Sequence, residues 1–206
     1  MTALAVTAAT DFALAGEALW LAALLYRRPK IRFSAPWFWG GFMALLGAGA
    51  LLGGIDHGLL EPARAPRYWV QRSTWILLGA MTFCLLMAAA RQFFPPALQR
   101  AALAIAVAQF ATDTAAVLLV DSFLAVVLNY APVLLLALAL HLAGPKRGAG
   151  SPAIAAGLAI LAAASAIQAA GVDALAPLDH NGLFHALAIA GVLFLYRGIC
   201  ATYPPL

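Results

Sequence analysis

The sequence predicts an all-helical membrane protein, a bundle of seven transmembrane helices. Of its 206 residues, 65% are hydrophobic and only 10% are charged, and the mean hydropathy is +0.93. Soluble globular domains carry about 25% charged residues, so this composition excludes a water-soluble domain. Because a spanning helix needs about 20 apolar residues, we expect one seven-helix transmembrane domain over residues 1–206.

Seven apolar runs of spanning length support this prediction, and each is bounded by charged residues, Pro or Gly. In order, they are residues 8–26, 37–57, 73–90, 101–120, 122–141, 152–170 and 182–199. The boundary between the fourth and fifth runs is the least marked, since only Asp121 and Ser122 interrupt it. We therefore expect a tight turn there.

We expect the first run to be retained as a helix. Residues 1–15 contain no Lys or Arg, whereas a cleavable signal peptide begins with a positively charged segment. Glu17 lies near the middle of this run, where an ionisable side chain costs about 2.5–3.5 kcal/mol in hydrocarbon. It is therefore a candidate functional residue.

The second run is rich in glycine and includes Gly49 and Gly53, four residues apart. Glycine disfavours a helix in water, but between membrane helices it allows the backbones to approach closely. We expect this helix to be central and tightly packed.

Three carboxylates are expected to cap helices. Asp11, Asp121 and Asp179 lie near the starts of the first, fifth and seventh helices. At such positions a carboxylate accepts hydrogen bonds from the unpaired backbone N–H groups.

The basic residues predict the orientation in the membrane. Three of them fall on one side of the bundle, at Arg64, Arg67 and Arg72. The other nine of the twelve fall on the opposite side, at Arg27, Arg28, Lys30, Arg32, Arg91, Arg100, Lys146, Arg147 and Arg197. Because Lys and Arg are enriched in cytoplasmic loops, we expect the N-terminus outside and the C-terminus in the cytoplasm, with the chain spanning a bacterial inner membrane. This accounts for the positive charge, so no nucleic-acid partner is expected.

The polar residues inside the runs predict a chamber that opens toward the outer side. On the predicted topology most of them lie in the outer half of the helices: His57, Ser73, Thr74, Gln109, Asp113, Asn129, Ser165, Gln168, Asn181 and His185. His57 closes the second helix and His185 opens the seventh, so two imidazoles lie at a similar depth. His180 would face the same way as His185 only if it precedes the first regular turn. Converging neutral imidazoles are typical ligands of a divalent metal.

Seven spans, a His at the end of helix 2 and a His at the start of helix 7 resemble the superfamily of alkaline ceramidases, adiponectin receptors and Per1-like membrane hydrolases. That family has Ser-x-x-x-His near the end of helix 2, Asp early in helix 3 and His-x-x-x-His at the start of helix 7. His57 and His185 match this pattern. Gly53 stands at the position of the Ser and Asn181 at that of the first helix 7 His, and helix 3 opens with Gln71-Arg72-Ser73.

The resemblance implies a zinc-dependent hydrolase, or one using a similar divalent metal, acting on membrane lipids. The candidate metal ligands are His57, His180 and His185, with Glu17, Asp56 or Asn181 as alternatives for the third position. Glu17 or Asp56 would deprotonate the metal-bound water. Asn181 or Ser73 would hold the carbonyl of a lipid amide or ester.

Two other functions are compatible with the same residues. The first is a haem-binding protein in which His57 and either His185 or His180 are the axial ligands. The second is a non-catalytic bundle that binds lipid or serves as an accessory subunit, with a membrane-protein partner or a second copy of the chain. In that case alanine at His57 and His185 would leave abundance and association unchanged.

Overall fold

The computed structural model describes residues 3–28, 31–60 and 64–204, except for the side chains of residues 64 and 65. Lys30, one of the basic residues used to predict orientation, lies outside these ranges. The described secondary structure is helical, apart from an isolated bridge between Leu175 and Leu178. The helices are α1 (Ala3–Arg27), α2 (Ala35–Ile55), α3 (Arg64–Phe93), α4 (Pro96–Leu119), α5 (Leu124–Ala143), α6 (Ser151–Ala169) and α7 (His180–Thr202), and a π-helical segment (Asp56–Leu60) continues α2.

These seven helices of the described ranges are long and apolar enough to cross a membrane. The shortest, α6, has 19 residues and is therefore roughly 28 Å long at about 1.5 Å per residue. The hydrocarbon core of a bilayer is about 30 Å thick. The predicted all-helical, seven-helix architecture is confirmed.

The helix boundaries differ from the apolar runs mainly at the N-terminal ends. Helix α1 begins at Ala3, and α3 begins at Arg64, well before the predicted residue 73. Polar residues next to a span can continue the helix, because outside the hydrocarbon they need not be apolar. The predicted tight turn is confirmed, since only residues 120–123 connect α4 to α5.

Six helices form a ring in the order α1, α2, α3, α5, α6, α7, and α7 packs back on α1. Helix α4 lies outside this ring, against α3 and α5. Helix α2 is the most buried of the seven, and a Cβ at Gly47 would lie 3.2 Å from the carbonyl oxygen of Ala15 in α1. The predicted close packing of the glycine-rich helix is therefore confirmed.

The two ends of the bundle carry different chemistry, and we name them accordingly. The histidine end is where α1, α3, α5 and α7 begin, and it contains His57, His180 and His185. The arginine end is where these helices finish, and it contains Arg28, Arg32 and Arg91, among others.

Candidate functional site

A polar cavity of about 360 Å³ lies at the histidine end, between α1, the end of α2, α3 and the start of α7. We call it the polar chamber. Its hydrogen-bonding residues are Asp11, Asp56, His57, Gln71, Thr74, Gln168, His180, Asn181 and His185. The structure thus brings the three candidate metal ligands of the sequence to one chamber, together with Asp56 and Asn181.

The centre of the chamber is a buried acid–base pair between α1 and α7. The Nε2 atom of His185 lies 3.1 Å from Oδ1 of Asp11. Asp11 is 2% exposed and His185 is 7% exposed. Because the two groups neutralise each other or share one proton, neither is buried as an isolated charge.

Thr10 contacts the side of the His185 ring that faces away from Asp11. The Thr10 hydroxyl donates to the carbonyl oxygen of Thr7 at 2.8 Å and lies 3.2 Å from Nδ1 of His185. In the tautomer that carries Nδ1–H, the ring donates to the Thr10 hydroxyl. The remaining proton of the pair then lies between Nε2 and Asp11, either as carboxylate and imidazolium or as carboxylic acid and imidazole.

Gly53 leaves the space that the Asp11 carboxylate occupies. A Cβ at this position would lie 2.9 Å from Oδ1 of Asp11, closer than ordinary contact allows. The carboxylate of α1 therefore lies directly against the backbone of α2 at Gly53.

Asp11 is a candidate site residue that the sequence pattern did not identify. The prediction that it caps the first helix is wrong, because α1 begins at Ala3 and Asp11 lies in its third turn. The spacing of Thr7, Asp11 and Leu14, which puts these three residues on one helix face, was the signal that could have identified it. The capping prediction is confirmed for Asp179, whose carboxylate accepts from the backbone N–H of Gly182 at 2.7 Å.

The prediction that Asp121 caps the fifth helix is also wrong. Asp121 lies in the connection before α5 and pairs with Nη2 of Arg72 at 2.8 Å. Arg72 is 3% exposed, and its guanidinium group stacks over Trp75 with 4.5 Å to the ring centroid. This ion pair joins α3 to the α4–α5 connection at the histidine end.

Asp56 lines the chamber, but its carboxylate is already engaged. Nε of Arg67 lies 3.2 Å from Oδ1 and 3.3 Å from Oδ2, and Nε2 of Gln71 lies 3.4 Å from Oδ2. Asp56 is 4% exposed. These bonds join the π-helical segment to α3, so the geometry favours a structural role for Asp56 over that of a general base.

A second hydrogen-bond chain borders the chamber at the start of α7. His180 donates to the Asp173 carboxylate from its backbone N–H at 2.7 Å and from Nδ1 at 2.9 Å. These bonds lower the pKa of the Asp173 carboxyl. Asn181 contacts Nε2 of His180 at 3.3 Å and accepts a bond from Gln168 at 2.9 Å. The amide of Asn181 is thus held between α6 and His180.

Glu17 and Asp113 lie outside the lining of the polar chamber. Glu17 is half-buried, about one and a half turns further along α1 than Asp11. Asp113 is buried between α4 and α3, where its carboxylate contacts Gly79. The structure therefore does not bring Glu17 to the residues that were predicted to act with it.

An apolar cavity of about 240 Å³ adjoins the polar chamber between α2, α3, α5, α6 and α7. We call it the apolar chamber. Both chambers share the lining residues Leu46, Leu78, Phe123, Gln168 and Phe184. Leu135 also lines the apolar chamber and is 56% exposed, so this chamber reaches the outer surface of the bundle.

Comparison with known proteins assigns the whole bundle to a family. A family model described as a family of unknown function, DUF6962, matches residues 6–203. The chain belongs to this family. No curated protein and no solved structure matches the chain at a significant level. The match to DUF6962 includes the lining of both chambers, but its description gives no activity, so the function must be argued from the site.

The residues of this DUF6962 member do not fit a zinc site as they are arranged. A histidine ligates a metal through a deprotonated ring nitrogen, and both ring nitrogens of His185 and of His180 are engaged with neighbouring side chains. No group of three His, Cys, Asp or Glu side chains within the described ranges is placed to hold a metal ion together. Axial ligation of haem by His57 with either His185 or His180 meets the same obstacle at the second histidine.

We therefore expect substoichiometric zinc in protein purified without chelator from zinc-supplemented cells. Elemental analysis by mass spectrometry measures this directly, and the His57→Ala variant should have the same metal content as the wild type. One zinc per chain that is lost in His57→Ala would contradict this reading and support the metal site implied by the resemblance.

Proposed function

We propose that this protein binds an uncharged amphiphile, a lipid amide or ester, with its head in the polar chamber and its hydrocarbon chain in the apolar chamber. The observation that carries the proposal is the second oxygen of Asp11. Oδ2 is buried and has no hydrogen-bond partner in the part of the chain that the structure describes, and Asp11 lines the chamber. A buried acceptor needs a donor, which an N–H or O–H group of the ligand would supply.

Charge balance favours an uncharged head. The two carboxylates that line the chamber each face a basic partner, Asp11 with His185 and Asp56 with Arg67. An ionic head would add an uncompensated charge to a partly desolvated site, which is costly. Amide side chains of Gln71, Gln168 and Asn181 supply further hydrogen-bonding groups for hydroxyl, amide or ester atoms.

The adjoining apolar chamber supports an amphiphile over a small polar molecule. It continues the polar chamber through shared lining residues and reaches the lipid-facing surface at Leu135. A polar chamber of about 360 Å³ is within the usual size of ligand sites, about 300–1,000 Å³. A membrane lipid could therefore enter from the side and place its head among the polar groups.

The basic residues support an orientation in which the chamber faces the outside of a bacterial inner membrane. The ligand would then come from the outer leaflet. The same site would serve a lipid-binding subunit, and the predicted membrane-protein partner or second copy of the chain stays a prediction.

The binding proposal can be tested with protein in detergent micelles. N-oleoylethanolamine is an uncharged lipid amide, monooleoylglycerol an uncharged lipid ester and oleate a charged comparison. Native mass spectrometry should show saturable binding of one uncharged lipid per chain and weaker binding of oleate. Ala162 lines the apolar chamber, so Ala162→Phe should weaken binding by at least about fivefold, since overpacking costs about 1–3 kcal/mol.

The matched control is Ala163→Phe, which places the same ring on the exposed side of the same helix. Its affinity should equal that of the wild type. Equal affinities of Ala162→Phe and wild type, or a preference for oleate, would contradict the proposal.

Hydrolysis of the bound lipid is the second candidate function, and the Asp11–His185 pair favours it. In the carboxylate–imidazolium form, Oδ2 of Asp11 can accept a proton from a water molecule as that water attacks the ligand carbonyl. The Asp11 carboxyl would then give this proton to the leaving amine or alcohol as the C–N or C–O bond breaks, which restores the carboxylate. Release of oleic acid from either uncharged probe measures this activity. Asp11→Asn should abolish the release, because an amide cannot take up the proton, and chelators should have no effect.

A further inference from the structure

The arginine end contains a third cavity, an open groove of about 620 Å³ that shares no lining residue with the polar or the apolar chamber. It lies between the end of α1, residues 31–36, the end of α3 and the end of α7. Three guanidinium groups line it, those of Arg28, Arg32 and Arg91. We call it the arginine groove.

The segments that form the arginine groove contain no acidic side chain. The sequence has no Asp or Glu in residues 18–55, 62–112 or 180–206. At the histidine end, by contrast, Arg67 faces Asp56 and Arg72 faces Asp121. Arg32 and Arg91 therefore give the groove a positive charge that favours an anionic ligand.

Apolar side chains line the same groove beside the arginines. Leu25, Ile31, Phe33 and Ile199 contribute to it, and Ile31 is 81% exposed. A freely dissolved anion would gain nothing from such surface, whereas a lipid would bury it under its acyl chains. The combination fits an amphiphilic anion.

A buried hydroxyl adds a hydrogen-bonding group to the groove. Ser34 lines it, directly before α2, and its Oγ is buried without a partner in the described ranges. Ser34 makes no side-chain cap bond to α2. A hydroxyl and several guanidinium groups around one cavity are the donors that a phosphate group requires.

We propose that the arginine groove binds the phosphodiester headgroup of an anionic glycerophospholipid, with Arg32 and Arg91 as the principal contacts. Basic pockets between membrane helices recognise such headgroups by charge and hydrogen bonds. This site is at the opposite end of the bundle from the polar chamber and takes a charged head, so it is independent of the proposed function.

The experiment compares lipid binding to purified full-length protein in detergent, measured by native mass spectrometry. Dioleoylphosphatidylglycerol is the anionic probe, dioleoylphosphatidylcholine the zwitterionic one and inorganic phosphate the soluble anion. Saturable binding of the anionic lipid is expected, with weak binding of the zwitterionic lipid. Each arginine near an anionic headgroup contributes about fivefold in affinity. The double variant R32Q/R91Q should therefore weaken binding of the anionic lipid about 25-fold.

The matched control is R100Q/R147Q, which removes two exposed arginines from the same end without touching the groove. Its affinity should stay close to that of the wild type. Equal loss in both double variants, equal binding of both lipids, or full competition by inorganic phosphate would each overturn the proposal.

Folding of the variants is checked by the melting temperature without added lipid. Arg32 and Arg91 are exposed, so R32Q/R91Q should melt at the same temperature as the wild type. The single variant R32Q keeps the hydrogen bond from Arg91 to Gln99 and should still lose about fivefold in affinity. Unchanged affinity in R32Q would also overturn the assignment.

Discussion

The Asp11→Leu variant is expected to lose about 1–3 kcal/mol of unfolding free energy, the usual cost of leaving a buried polar group without its partner. Leucine has the same branched shape as aspartate, so it fits the space beside Gly53 and creates no cavity. What it removes is the partner of His185 Nε2, at 3.1 Å from the Asp11 carboxylate. Unfolding in mixed micelles with increasing dodecyl sulfate measures the difference.

The double variant Asp11→Leu/His185→Leu is the decisive comparison. Replacing both members of a buried polar pair by apolar side chains of similar shape is nearly neutral, so the double variant should be more stable than Asp11→Leu alone. Strict additivity of the two single effects would show that Asp11 and His185 are not coupled. Both single variants should lose binding of the uncharged lipids, because the buried acceptor or its orienting partner is gone.

The Asp11→Asn variant distinguishes the contribution of Asp11 to protein stability from its contribution to hydrolysis. The asparagine amide can donate to Nε2 of His185, so the structure should be retained with a change below about 1 kcal/mol. Hydrolysis should disappear while lipid binding persists, since the amide keeps an acceptor oxygen but cannot take up a proton. Retained hydrolysis in Asp11→Asn would remove Asp11 from the chemical step.

The Gly157→Leu variant is expected to destabilise the bundle by about 1–3 kcal/mol or more, the range for overpacking a tight interface. Gly157 in α6 faces Gly191 in α7, and a Cβ at Gly157 would lie 2.7 Å from the carbonyl oxygen of Gly191. The contact is reciprocal, since a Cβ at Gly191 would lie 3.2 Å from the carbonyl oxygen of Gly157. Backbone atoms cannot move aside as a flexible side chain can, so the two helices must separate.

A graded series makes this prediction specific. Gly157→Ala should have a smaller effect than Gly157→Leu, and both should weaken lipid binding because α7 carries His180, Asn181 and His185. The control is Gly16→Leu in α1, where a Cβ would meet no described heavy atom within 4 Å. That substitution should be neutral or stabilising, since leucine favours a helix over glycine by about 0.5–1 kcal/mol. A similar loss in both leucine variants would contradict the packing argument.

Hydropathy was enough to predict the seven helices and the tight turn at residues 120–123. It was not enough to place helix ends, because polar residues extend a helix beyond the hydrocarbon without an apolar signal. This is why the apolar pattern predicts a cap at Asp11, which lies inside α1. It is also why the apolar pattern gave no sign that α3 begins at Arg64, or that Arg72 is buried against Asp121 and Trp75.

The sequence by itself determined the number of helices and which polar residues share one end of the bundle, since helices joined by short connections alternate in direction. Only the tertiary structure decided that Asp11 meets His185 and that Arg28, Arg32 and Arg91 surround one groove. Each such contact depends on how a helix is rotated about its axis, at about 100° per residue, and the facing surface of its neighbour sets that rotation. Spacing along one helix specifies a face but not what the face meets. Close packing, as at Gly53 against Asp11, specifies the partner.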